Sequence, residues 1–120
     1  MKNNAPAEWL YFNSNEITVR SIKEVFDEDK TISNEIWDEA GVLELAPSNT
    51  GTMEFEVTKL NLGDDYSNQF LQDNDTKSLF FVTIDIEHYE KMSEMMNKII
   101  SVLGGFFCAD TEDFTPMIGK

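Results

Sequence analysis

The chain carries very little that does chemistry. Its 120 residues include one cysteine, Cys108, and one histidine, His88. A single cysteine excludes an intramolecular disulfide and any CxxC metal or redox motif. Small secreted domains usually hold more, so the composition points to a reducing cytoplasm. No run approaches the length of apolar sequence that a membrane-spanning helix needs. The opening stretch, "MKNNAPAEWLYF", lacks the apolar segment of a signal peptide. Cations are scarce too: nine Lys and Arg stand against 23 Asp and Glu, a formal net charge of −14. Such a molecule repels nucleic acid and anionic lipid and attracts basic proteins.

What is present suits one folded domain over residues 1–120. Hydrophobic residues make up 41% and aromatics 12%, too much for a disordered chain. Trp9–Phe12 and Glu16–Val19 read as two extended pieces joined by the turn-type Asn13-Ser14-Asn15, a possible hairpin. Ser21 and Glu24 have capping-box spacing, which predicts a short helix from Ser21 to Asp29. Ile32, Ile36, Trp37 and Ala40 predict a second helix, capped by Thr31 or Ser33 and stopped by Gly41. Val42–Leu45 reads as a strand, followed by turn chemistry over Pro47–Gly51. In "TMEFEVT", Met53, Phe55 and Val57 alternate with Glu54 and Glu56, the mark of a half-buried strand paired with the one before. Asp65 is placed to cap a turn of helix, and Asp73–Thr76 reads as a loop.

The C-terminal third is more regular. "SLFFVTIDI" is apolar on both faces and predicts a central strand from Ser78. Tyr89, Met92, Met96, Ile99 and Leu103 lie on one helical stripe, and Gly104-Gly105 stops it. Phe106–Ala109 is the next strand. Strand, long helix and strand predict a β-α-β unit whose two strands run parallel. The ordered part is expected to end at Phe114-Thr115-Pro116. The expectation is an α+β fold: a mixed β-sheet with a hairpin and a C-terminal β-α-β unit, packed by one long amphipathic helix.

Chemical motifs fail one by one. Cys108 as nucleophile with His88 and Asp85 or Asp110 has the right residue types. Yet Cys108 sits inside an apolar strand, and an acidic field raises a thiol's pKa, which suits a core residue better. Asp73-Asn74-Asp75 starts like a calcium loop, but Ser78 stands where glycine is required and Ile84 where the terminal Glu is required. Met92, Met95 and Met96 form a stripe that the helix needs for its own core. The reading calls for no cofactor, no metal and no catalytic activity.

The acids themselves are the remaining signal, because solubility needs only a net charge of about 2 to 8 in a small domain. Asp27, Glu28 and Asp29, with Glu35, Asp38 and Glu39, form one group that a basic partner would occupy. Asp64 and Asp65 belong to a second, and Asp110, Glu112 and Asp113 to a third. Trp37 and Tyr66 lie beside acids and are the candidate apolar anchors.

The passages "VFDEDKTISNEIWDEAG", "FFVTIDIEHYEKMSEMMNKIISVLGG" and "FFCADTEDFTP" complete a profile. A small acidic α+β chain of this kind resembles bacterial toxin-neutralising immunity proteins, particularly those of contact-dependent growth-inhibition systems. That resemblance implies a cytoplasmic inhibitor held against a basic toxin domain, often a nuclease. A nucleic-acid mimic acting on a host defence complex is the rival from the same chemistry. A small enzyme or ligand module near His88 and Cys108 is the rival from another class.

Overall fold

In the computed structural model, which describes residues 6–120, seven strands form one sheet in the order β2-β3-β4-β5-β1-β6-β7. The strands are β1 (Glu8–Asn13), β2 (Ile32–Trp37), β3 (Val42–Pro47), β4 (Met53–Thr58), β5 (Ser78–Ile84), β6 (Phe106–Ala109) and β7 (Met117–Ile118). The helices are α1 (Val19–Glu24), α2 (Asp65–Asp73) and α3 (Tyr89–Leu103). The α+β class, the β3–β4 hairpin and the long C-terminal helix are as the sequence predicts.

The sheet is not mixed. Every pairing between neighbouring strands is antiparallel. Strands β5 and β6 do run in the same direction, as a β-α-β unit requires, but they do not touch. Strand β1 lies between them and pairs with both. The insertion follows from the composition of β1, in which Trp9, Leu10, Tyr11, Phe12 and Asn13 are all buried. A strand that is apolar on both faces is stable only in the interior of a sheet.

Four other expectations are overturned. Glu16–Val19 forms no strand, so there is no N-terminal hairpin. Helix α1 begins at Val19, where the N–H of Thr18 donates to Ser21 Oγ at 3.1 Å. That bond takes the place of the expected Ser21–Glu24 box. The second predicted helix is strand β2, and Ile32–Trp37 pairs residue for residue with Trp37's hairpin neighbour Val42 back to Pro47. Beyond Pro116, the chain continues into β7, which pairs with β6.

Two cores lie on opposite faces of the sheet. On the first, Trp9, Tyr11, Phe55, Phe80 and Phe107 pack against Met92, Met95, Met96 and Ile99 of α3 and Val19 and Ile22 of α1. On the second, Leu10, Phe12, Leu79, Phe106 and Cys108 pack against Leu71 of α2 and Phe114. The C-terminus of α3 is tied to β1 by two buried polar groups. Tyr11 donates its hydroxyl to Gly104 O at 2.6 Å, and Asn13 Nδ2 reaches the Tyr11 hydroxyl at 2.9 Å and Leu103 O at 3.1 Å. Gly105 permits this closeness: its φ is +80°, and a Cβ there would meet Phe12 O at 2.2 Å.

Burial pushes the Tyr11 phenol from 10.0 up to about 12. It pushes the Cys108 thiol from 9.0 up to about 12, with the Asp110 charge adding to the rise. Both groups fold in the neutral form and ionise more readily when unfolded. Their stabilising contribution is therefore complete below pH 9.0 and falls progressively to about pH 12. Urea unfolding across pH 8 to 12 should show this decline. In the variant Tyr11→Phe the part of the decline above pH 10.0 should shrink. Asn13→Ala leaves the Leu103 carbonyl and the Tyr11 hydroxyl short of a donor. It should cost about 1–3 kcal/mol in the same measurement.

Candidate functional site

The second face is only half covered. Helix α2 and the loop after β6 lie over β5, β1 and β6, while the β2–β3–β4 end has no helix upon it. The register shows what that end presents. Residues directly opposite in an antiparallel ladder share a face. One row runs Trp37–Val42–Glu56–Phe81–Leu10–Cys108 across six strands. Leu10 and Cys108 are buried under α2, whereas Trp37 is 48% and Phe81 39% exposed.

The next row is Glu35–Glu44–Glu54–Thr83–Glu8. Asp110 extends it, because its N–H bonds to Glu8 O just past the ladder. The buried strand β6 runs straight into an acid because Asp110 is the first residue of its line to emerge at the open row. Glu44 and Glu54 are the tightest neighbours. The bond from Val57 N to Gly41 O sets the alternation between β3 and β4. It makes Glu44 and Glu54 a pair without mutual hydrogen bonds, the closer type at about 4.5 Å between Cα atoms. Like charges directly opposite destabilise a sheet, at the scale of roughly 0.2–1 kcal/mol per pair. No Lys or Arg occurs in β2, β3, β4 or β5. Among the described residues, none of the ion pairs involves these glutamates.

The residues singled out from the sequence divide between this face and others. Glu35 and Trp37 lie on it. Asp64, Asp110 and Glu112 border a groove of about 490 Å³ that Phe81 shares with Leu62 and Phe114, next to the open rows. Asp64 of the second acidic group and Asp110 and Glu112 of the third are therefore together in space. Tyr66, on the first turn of α2 with Asp65, is 60% exposed and stacks on Phe114 at 6.1 Å between centroids. Phe114 has a φ of +59°, an uncommon conformation for a bulky residue, and is held by stacking on Phe70 at 4.5 Å.

The first acidic group lies mostly elsewhere and is partly neutralised. Asp38 pairs with Arg20, and Asp27 with Lys23 at 2.7 Å. Asp29 accepts from Thr31 N at 2.9 Å. Its carboxyl is held below the ordinary value by the Thr31 hydrogen bonds, with smaller help from Lys98 and Lys91. Glu28 is exposed beside it, and Glu39 lines a small cavity of about 180 Å³ with Ile17, Val19 and Val57. Two other acids have structural work. Asp64, not Asp65, caps α2 by accepting from Ser67 N at 3.1 Å, which holds its carboxyl low. Asp113 accepts from the hydroxyl and N–H of Thr115, with the same effect.

The catalytic constellation considered from the sequence is not assembled. His88 Nδ1 lies 3.0 Å from Asp85 Oδ2, a bond that lowers the Asp85 carboxyl. His88 leads into α3, on the first face, while Cys108 belongs to the core under α2. The sheet separates them. Among the described residues, no three His, Cys, Asp or Glu side chains are grouped to hold a metal ion. No described helix is long and apolar enough to cross a membrane.

Glu8, Glu44, Glu54, Glu56 and Phe81 escaped the sequence reading. The alternation of "TMEFEVT" signalled the outward side of Glu54 and Glu56, but only strand pairing sets them beside Glu35 and Glu44. Comparison with known proteins adds no relative: no family model, no curated protein and no solved structure matches the chain.

Cys108 should not react with a thiol reagent such as Ellman's reagent under native conditions at pH 8. It should react fully once the chain is unfolded. Fast native labelling would contradict its burial.

Proposed function

We propose that the chain is a non-enzymatic binding protein that neutralises a basic protein, and that the open acidic face is where the partner docks. The specific reading is an immunity protein of the toxin-neutralising kind, acting in the cytoplasm on a cationic toxin domain. The observation that carries it is the glutamate ladder. Three strands set Glu35, Glu44 and Glu54 side by side, with no cation on any strand of that face.

A surface that serves only solubility gains nothing from this arrangement. Alternating signs across the strands would be as soluble and more stable. A partner bearing Arg and Lys removes the repulsion on docking and is drawn in by the field before contact. Trp37, Val42 and Phe81 supply the apolar area that charge alone does not. The carboxylates then stand where a basic nuclease holds the phosphates of its substrate. The regular interval of the ladder, about 4.8 Å from strand to strand, also fits a nucleic-acid-mimicking inhibitor. That second reading differs only in the identity of the target.

The test pairs stability with association. Glu44→Gln should raise the stability of the free protein by up to about 1 kcal/mol, read from urea unfolding. Glu44→Gln with Glu54→Gln should slow association with a cationic toxin domain roughly tenfold at low salt, and should flatten the salt dependence of the rate. Asp27→Asn with Asp29→Asn, on the other side of the molecule, should leave the rate close to the original. The partner to use is a basic toxin domain encoded beside this gene, with rescue of growth on co-expression as the second readout. If both pairs of substitutions leave the rate and its salt dependence unchanged, the open face is not the docking surface.

A further inference from the structure

The sheet order leaves β2 as an end strand. Its hydrogen-bonding sense is fixed at one end. Ser48 N donates to Thr31 O at 2.8 Å, and Pro47, which has no N–H, stands opposite Ile32. Ser33, Glu35 and Trp37 therefore bond toward β3, and Ile32, Asn34 and Ile36 direct their backbone groups outward. The outward N–H of Ile32 is taken by Asp29 O at 3.2 Å. The backbone N–H and C=O groups of Asn34 and Ile36 have no protein partner among the described residues.

Soluble proteins usually guard such an edge with lysine, proline, a bulge or a very short strand. β2 has none of these, and its one charged side chain is Glu35. It is six residues long, contains no Lys or Pro, and keeps an unbroken register with β3. We propose that β2 is a strand-addition edge and that its occupant is an extended segment of the basic partner, alternating cationic and apolar residues. This rests on the reading of the acidic face given above and specifies how the partner is held.

Charge and burial select that occupant. An added strand sets its side chains alternately beside Ser33, Glu35 and Trp37 and beside Ile32, Asn34 and Ile36. The first set continues the open face, where an added residue beside Glu35 becomes the next member of the glutamate row. A cation there ends the row with an opposite charge, and a cation beside Trp37 meets an aromatic ring. The second set lies on the α1 side, where Ile32 is buried and Ile36 half-buried, so apolar residues extend the core. A second copy of this chain is the wrong occupant. Its own β2 would bring more carboxylate against Glu35, on a molecule already carrying −14.

The experiment uses the full ¹⁵N-labelled chain and the peptide acetyl-Lys-Val-Lys-Val-Lys-Val-amide in low-salt buffer. In the free protein the Asn34 and Ile36 amides should exchange with solvent quickly, and those of Ser33 and Glu35 slowly. With peptide at about ten times its Kd, exchange at Asn34 and Ile36 should slow about tenfold. An acidic counterpart with Glu in place of Lys should leave exchange unchanged. Ile36→Pro removes an outward N–H that β3 does not use, and it should abolish the slowing while the rest of the spectrum stays folded. Asn34→Pro makes the same test should Ile36→Pro fail to fold. Peptide-induced shifts confined to Glu44, Glu54 and Phe81, with β2 exchange unaltered, would overturn strand addition while leaving the acidic face standing. An absence of shifts anywhere would overturn both. Slow exchange at Asn34 and Ile36 in the free protein, together with sedimentation as a dimer, would assign the edge to a second copy and overturn the proposal.

Discussion

The unequal cover of the two sheet faces is the constraint from which the rest follows. Helices α1 and α3 share the first face and bury it across β3, β4, β5, β1 and β6. The second face has only the nine-residue α2 and the loop after β6. Nine helical residues reach about 13–14 Å, whereas neighbouring strands add about 4.8 Å each. One short helix cannot shield seven strands. The end it leaves bare must meet water or another molecule, and the chain's composition at that end determines which.

The distribution of cations sharpens this. The chain has few, but those it has are not placed at random with respect to the acids. Arg20 and Lys23 sit against Asp38 and Asp27, and Lys91 and Lys98 add their field at Asp29. The α1 side is thereby compensated within the molecule. The open face receives no such help, though Ser33, Thr58 and Thr83 show that neutral polar residues fit its strands. A single lysine in place of Glu44 would turn two repulsive contacts into attractive ones. The sequence does the opposite at three successive strands, and it does so next to exposed Trp37 and Phe81.

How far this was legible in the sequence depends on the distance over which each feature is encoded. The β3–β4 hairpin and α3 are written locally, in the alternation of "TMEFEVT" and the stripe from Tyr89 to Leu103, and both form as expected. Strand β2 is ambiguous locally because Ile32 and Ile36 are four apart, a spacing that satisfies a helical face and a strand face equally. Its state was decided by Val42–Pro47 across the turn, where Gly41 has a φ of +69° that suits a tight reversal. The insertion of β1 between β5 and β6 is encoded only in its two-sided apolar character, which names no neighbours. The acidic face is the least local feature. Glu8, Glu35, Glu44 and Glu54 spread over about two-fifths of the chain and meet only through register, whereas clusters counted along the sequence point to Asp27–Asp29.

The open face and the open edge meet at β2, so the proposed docking would engage both at once. The strand that lacks a neighbour is also the strand that ends the glutamate row, so whatever pairs with β2 is judged by Glu35 as it does so. An edge without charge would accept any extended chain, including its own copies, and would invite aggregation. An acidic face without an edge would attract basic proteins with little regard to their geometry. Together, the backbone groups of Asn34 and Ile36 ask for an extended segment and the row ending at Glu35 asks for a cationic one. The repulsion along Glu35, Glu44 and Glu54 is a cost in the free protein, and under the proposed docking a cationic partner would relieve it. Another acidic protein, or another copy of the chain, would bring like charge against the same carboxylates.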